Sequence, residues 1–319
     1  MLLDALTGEV VRNWHVISEK ICPSEYSVEL MVPDGKSIVI TEDEKGVWLD
    51  EAGKRIYLSG GYLKLPSFEG HDQKHLLRAL HHEILVNIIQ GKPFPNIFVY
   101  SKPWYRDAAM MCMCLEKTGN LHLVSDWILG LGEPFDLYNA GNCEPDNLGQ
   151  ALYMISLVSD SSHLLVGTIL RTIPRFRRAN YIIGMTDGTE HPVYQTKWLK
   201  FGLRRLFLDD PYEIPDVLDS YSSLFWMDYT QDFIDVPCFS KEARELYPYL
   251  GWAEAHFHNW TFEMTSTPDK YPLTWEAHAS EARYEGMERI SKEFVEQRIC
   301  TPHAWHAAEM FLYLLDPAR

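Results

Sequence analysis

The chain has 319 residues, enough to bury a large core either as one domain or as a domain with an appendage. Hydrophobic residues make up 46% and charged residues 23%, the balance of a folded chain and not of a disordered one. Its 29 basic and 45 acidic residues leave a net charge of −16, which excludes nucleic acid and anionic membranes as expected partners, because a polyanion would be repelled over most of the surface.

The N-terminal stretch "MLLDALTGEVVRNW" is interrupted by Asp4, Glu9 and Arg12. It has neither the apolar core of a signal peptide nor the ~20 apolar residues of a membrane span, so no membrane partner and a cytoplasmic location are expected. Residues 26 to 65 read as extended: "YSVELMVP", "SIVIT", "GVWLD" and "RIYLSG" are short alternating or β-branched runs separated by the turn chemistries "PDGK", "EDEKG" and "EAGK". They predict a small antiparallel β element, residues 1–70, packed on the rest. From "GHDQKHLLRALHHEILVNIIQG" onward the period becomes helical, with Leu76, Leu77, Leu80, Ile84, Leu85 and Ile88 on one stripe and Gly91 as the stop.

Within residues 71–319 one arrangement recurs: a proline, an aromatic or acidic residue close by, then an apolar helical run. It appears in "KPWYRDAAMMCMCL", "CEPDNLGQALYMISLV", "HPVYQTKWLKFGLRRL", "YPYLGWAEAHFHNW", "YPLTWEAHASEARYEGM" and "TPHAWHAAEMFLYLL". Second helices such as "HLVSDWILGL" and "HLLVGTILRTI" lie between several of them, so the expected unit is a helical hairpin of about 40 residues. Pro248 and Pro272 are too close together for a full hairpin, so one of those two helices is expected in an outer layer, with "DVLDSYSSLFWMDY" in its place. Proline suits the first turn of any helix. The aromatic and acidic residues beside it are not required by that rule. If the six starts face one end of a closed ring, Arg106, Asp107, Asp146, Trp198, Trp252, Glu254, Trp275, Glu276, His303 and Trp305 converge on one cleft. The 10 Trp and 17 Tyr are numerous, and their ring faces suit flat or semi-apolar ligands.

Such a ring is the (α/α)6 barrel of six-hairpin glycosidases, and the motifs resemble the glucoamylases among them. "PWYRDAA" resembles the W-x-R-D stretch that opens an inner helix of that family, and "NCEPDNLGQALYM" is similar to its second inner helix. The resemblance implies a mainly α (α/α)6 barrel with a small N-terminal β element. It also implies a glycoside hydrolase in which Arg106 and Asp107 hold the hydroxyls of a sugar, with Asp146 lining the next position; Trp104 and Tyr105 beside the pair, and Glu144 at the next helix start, are further expected substrate contacts. One departure stands out. The third inner helix of the family carries paired glutamates after its Trp, whereas this chain reads Trp198-Leu199-Lys200.

Glycosidic cleavage needs two carboxyl groups flanking the bond, and an inverting enzyme separates them by roughly 6.5–9.5 Å. Asp146 with Glu276 is the expected pair, and Glu254 the reserve. Glu276 directly follows Trp275, and Glu254 stands two residues after Trp252, where an indole would desolvate the carboxyl and raise its pKa. The competing reading of each is a helix-end carboxylate. Asp107 has such a reading too, since an acid in a first turn accepts orphan N–H bonds. The remaining substrate contacts are expected from Trp198, Trp252, Trp275, His303 and Trp305.

No cofactor or metal is expected. The six cysteines match neither a zinc pair nor a redox motif. His303, His306 and Glu309 spread around their helix, and no glycine-rich nucleotide loop or G-x-S-x-G occurs. "RTIPRFRR" is expected to be an exposed outer-helix end. Two rival functions remain: a catalytically silent carbohydrate-binding protein, and a uronic-acid hydrolase or lyase in which Arg106, Lys197 or His303 meets a substrate carboxylate.

Overall fold

The computed structural model describes residues 2–3, 10–22, 25–43, 45–59, 63–97, 100–217, 219, 221 and 303–315. A two-stranded ladder, β1 (Leu2–Leu3) with β2 (Val10–Arg12), precedes a five-stranded antiparallel meander. Its strands β3 (Ser18–Cys22), β4 (Ser27–Met31), β5 (Ser37–Asp43), β6 (Gly46–Glu51) and β7 (Lys54–Ser59) pair in chain order. Alternation sends Leu30, Ile38 and Leu49 to one buried face, with Leu30 opposite Ile38 and Ile40 opposite Leu49 across the ladders. The turns are those that the sequence marks. Asp43 Oδ1, for example, accepts the N–H groups of Lys45 and Gly46 at 2.8 and 3.1 Å.

Seven α-helices follow among the described residues: α1 (Lys74–Val86), α2 (Tyr105–Thr118), α3 (Ser125–Leu129), α4 (Asp146–Val158), α5 (Leu164–Thr172), α6 (Pro192–Arg205) and α7 (Ala304–Leu315). They pack as a row in the order α1, α7, α2, α4, α6, so the last helix lies between the first two. Helix α2 is central, and its Met110, Met111, Cys112, Met113 and Cys114 are all buried. Polarisable, unbranched sulfur side chains suit a helix packed on every side. Helices α4 and α6 approach backbone to backbone at Gly149 and Gly202. A Cβ at Gly149 would stand 2.2 Å from the carbonyl carbon of Trp198.

The expected mainly α (α/α)6 barrel is overturned by this architecture. Among the described residues, beside the seven α-helices stand the five-stranded sheet and four two-stranded ladders, one of them β8 (Ile88–Ile89) with β9 (Lys92–Pro93). The hairpin unit fails in its second helix. The stretch "HLVSDWILGL" gives a 3-10 turn at Leu121–Leu123 and then only five helical residues, because Gly130, Gly132 and Pro134 follow at once. The basic stretch "RTIPRFRR" begins at the exposed C-terminal end of α5, whose last residues are Arg171 and Thr172, and continues beyond it. It passes through a 3-10 turn at Ile173–Arg175 into β10 (Arg177–Arg178), which pairs with β11 (Tyr181–Ile182). A second hairpin, β12 (Met185–Thr186) with β13 (Thr189–Glu190), turns through Asp187 and Gly188, both at positive φ. No described helix is long and apolar enough to cross a membrane.

Candidate functional site

Helices α2, α4, α6 and α7 bring their N-terminal ends together, and a buried charge network fills the junction. Arg106, on the first turn of α2, is 3% exposed. Its Nε donates to Asp146 Oδ2 at 3.2 Å, its Nη2 to Glu144 Oε2 at 2.8 Å, and its Nη1 to Asp187 and to the hydroxyl of Tyr221. Burial works against the guanidinium's charge. Tyr221, Asp146 and Asp187 outweigh it and hold the arginine's pKa well above its ordinary value.

Each carboxylate is oriented in turn. Asp146 accepts Thr186 Oγ1 on Oδ1 at 2.7 Å and Gln150 Nε2 on Oδ2 at 2.9 Å, and Gln195 Nε2 donates to Thr186 Oγ1 at 2.9 Å behind them. Glu144 accepts Asn139 Nδ2 at 2.8 Å and the N–H of Asp187 at 2.7 Å. The same Asn139 nitrogen donates to Asp187 Oδ1 at 2.9 Å, so one amide ties Glu144 to Asp187. Burial raises the pKa of Glu144 and Arg106 opposes the rise. The Asp187 side chain is 39% exposed, whereas that of Asp146 is fully enclosed. Asp146 and Glu144 both lie buried in the junction, and Asp187 stands at its solvent-facing edge.

Asp107 stands beside this network with its Oδ1 3.0 Å from Nδ1 of His303. It is not the cap of α2. The N–H of Tyr105 goes to Asp136 Oδ2 at 2.7 Å, an acceptor supplied by the loop before α4. Asp219 does the same for α6, accepting the N–H groups of Val193 and Tyr194 at 3.1 Å each. Rings frame the junction. The Arg106 guanidinium lies 5.3 Å from the centre of the Tyr221 ring and 5.6 Å from that of Trp305. Tyr100 sits edge-on to both Trp104 and His303.

Arg106, Asp107, Glu144, Asp146, His303 and Trp305 are therefore brought together, with Trp104 nearby. Two expected contacts lie elsewhere. Tyr105 turns its hydroxyl to the carbonyl of Glu133 at 2.8 Å, and its ring stands edge-on to Trp127. Trp198 is wholly buried among Tyr153, Tyr194 and Phe201, because it shares the inward face of α6 with Tyr194 four residues earlier. Trp252, Glu254, Trp275 and Glu276 lie outside the described residues. Lys197 lines a cavity with Ser156 and Arg204, on the last turns of α4 and α6, and not the junction. His306, behind His303, is kept neutral well below the ordinary histidine pKa by burial and by His303. Among the described residues no group of three His, Cys, Asp or Glu side chains is arranged to hold a metal.

Sequence reading missed Asp187, Tyr221, Asn139 and Asp136. Only Asp187 carried a local signal: "TDGT" is a two-residue turn motif that projects its aspartate from a hairpin tip.

The chain matches no family model, no curated protein and no solved structure. With the architecture above, this overturns the resemblance to the six-hairpin glycosidases, and the W-x-R-D likeness is confined to a short stretch at the start of α2.

Proposed function

We propose that this chain binds a neutral oligosaccharide or glycoside at the junction of the helix starts and hydrolyses it as a glycoside hydrolase. The observation that carries this reading is the pairing of Glu144 with Asp187. One carboxyl is buried and raised in pKa, the other faces solvent, and both are held by Arg106 and Asn139 beside the rings of Tyr221 and Trp305. Glycosidic cleavage uses one carboxyl as acid and a second as base or nucleophile, and the burial that raises the pKa of Glu144 favours it for the first role. Aromatic faces take the C–H faces of a sugar ring while carboxylates take its hydroxyls.

Asp146 is given a positioning role in this scheme, because its side chain is fully enclosed, whereas Asp187 faces solvent. Asp107 and His303 are assigned to sugar hydroxyls. A neutral substrate is favoured over a uronic acid: three carboxylates already surround Arg106, so a fourth would meet repulsion. We place the protein in the cytoplasm, acting without nucleic acid or membrane; the four cysteines described are free thiols, which suits a reducing compartment.

The test is release of reducing sugar from a panel of neutral oligosaccharides and aryl glycosides by the full chain and by Glu144→Gln and Asp187→Asn. Each variant is expected to lose about 10²–10⁴-fold in turnover, the usual contribution of a positioned acid or base. Thermal stabilisation by the same sugars, read alongside, separates a silent binding protein from an enzyme. Neither turnover nor stabilisation with any neutral sugar would remove the proposal.

A further inference from the structure

At the opposite end of the helix row, the last turns of α4 and α6 and the chain that follows α6 enclose a cavity of about 520 Å³. Lys197 lies buried on its inner side, and Phe201, Arg204, Arg205 and Phe207 line it further out. The cations are held in place by acids that leave nitrogens to spare. Arg204 uses its Nε on Asp210 Oδ2 at 2.8 Å, and Arg205 uses its Nη2 on Glu116 Oε1 at 3.0 Å. Neither terminal nitrogen of Arg204 is engaged in that bond, and Nη1 of Arg205 is likewise outside its own. Asp210 is shared with Lys200, which takes both of its oxygens at 3.1 and 3.0 Å, so the acid on this side is already spent on two cations. A basic recess in a chain of net charge −16 concentrates small anions locally.

A second, independent observation is Phe207. The N–H of Phe207 reaches Arg204 O at 3.0 Å and that of Leu208 reaches Leu203 O at 2.9 Å, the bonding of a helix end whose turning residue is usually glycine. Here that residue is phenylalanine, at φ 56° and 97% exposed. A bulky side chain is rare in the left-handed region, and this one, turned out to water, lines the mouth of the cavity.

We propose that this cavity binds a small organic oxyanion, a phosphate ester or a carboxylate on a flat apolar body, with the anionic group on Arg204 and Arg205 and the body against Phe201 and Phe207. A guanidinium presents parallel N–H donors to such oxygens, and a phenyl ring gives the body a stacking face. The site is separate from the carbohydrate junction and does not depend on that reading.

Isothermal titration of the full chain with phenyl phosphate, benzoate, inorganic phosphate and benzyl alcohol tests it. Phenyl phosphate or benzoate is expected to saturate one site per chain, with the tighter of the two identifying the anionic group. Inorganic phosphate should bind at least tenfold more weakly than phenyl phosphate, and benzyl alcohol should not bind. Arg204→Gln and Phe207→Gly should each weaken the aromatic anion at least tenfold; the glycine suits the backbone at position 207, so that variant is expected to fold. Binding by neither aromatic anion, or unchanged affinity in either variant, overturns the proposal.

Discussion

Replacing Gly149 by alanine tests the packing on which the helix-start junction rests. A Cβ there would meet Trp198 C at 2.2 Å, Leu199 N at 2.4 Å and Trp198 O at 2.4 Å. Favourable carbon contacts lie at about 3.5–4.0 Å, so α4 and α6 must separate by more than about 1 Å along that line. All three atoms are backbone, and no rotamer change can relieve the clash. Inserting a methyl group into a close-packed core costs about 1–3 kcal/mol, and a rigid backbone contact belongs at the upper end of that range. Alanine returns about 1 kcal/mol in helix propensity. A net loss of about 2 kcal/mol in unfolding free energy is expected, measured by urea denaturation. Gly202→Ala should behave alike, since its Cβ would meet Gly149 O at 2.5 Å and Leu152 Cβ at 2.7 Å. The double variant should lose less than the sum, because one displacement makes room for both. Gly167→Ala on α5 is the control: its nearest neighbour is the flexible end of Arg171 at 3.4 Å, so it should gain about 0.5–1 kcal/mol. Equal stability of the 149 and 167 variants would refute the packing argument.

Three further predictions follow from buried charge. Burial pushes Glu42 from 4.5 up to about 7, so the native state holds a proton that the unfolded chain releases. Its stabilisation is present in acid and is lost as pH rises from about 4.5 through about 7, a decline of about 3 kcal/mol that Glu42→Gln should abolish in urea titrations. Neighbouring His81 and His82 are lowered to about 4 and about 3 by burial, so their contribution is lost as pH falls below about 6.5; because that window overlaps the Glu42 window and two histidines outweigh one carboxyl, the Glu42 decline is read as the difference between the parent chain and Glu42→Gln. Asp136→Ala should cost about 1–2 kcal/mol and shorten amide-exchange protection in the first turn of α2, whereas Asp107→Ala should leave that protection in place. Arg106→Met should cost about 3–5 kcal/mol at neutral pH, because it strands the acids around it. That penalty should shrink as pH falls and the acids take up protons; a penalty independent of pH would contradict the charge-network reading.

What local pattern encodes, the sequence made legible. The turn chemistries of residues 33–54 lead to the hairpins they mark, and the stripe from Leu76 to Leu85 lies on α1. The helix starts in "KPWYRDAA", "CEPDNLGQ", "HPVYQTKW" and "TPHAWHAA" are helix starts in the structure. What failed was the extension from repeated starts to a repeated architecture. A proline and an acid specify where one helix begins and say nothing about the length of the helix that returns from it. The described return segments run into Gly130, Gly132 and Pro134, or into the strands around Tyr181, and the ring of hairpins does not follow. Trp198 was misassigned for a related reason: its place shortly after a proline resembled a cleft position, while the 3.6-residue period had already put it on the face shared with Tyr194.

The charge network shows why a site can be half visible. Arg106 draws its partners from 38, 40, 81 and 115 residues away, so no window of sequence contains the set. Its placement nonetheless obeys a local rule. Asp107 and Asp146 both occupy first turns, where the positive end of the helix dipole favours a carboxylate. Two converging helix ends and one guanidinium together surround the buried Asp146. Glu144, just ahead of α4, takes its bonds from Arg106, Asn139 and a single backbone N–H, and burial raises its pKa. Asp187 is carried in on a hairpin tip and keeps its contact with water. The three acids therefore differ in exposure and in their hydrogen-bond partners because each arrives on a different kind of backbone, and such a difference in environment is what acid–base chemistry draws on.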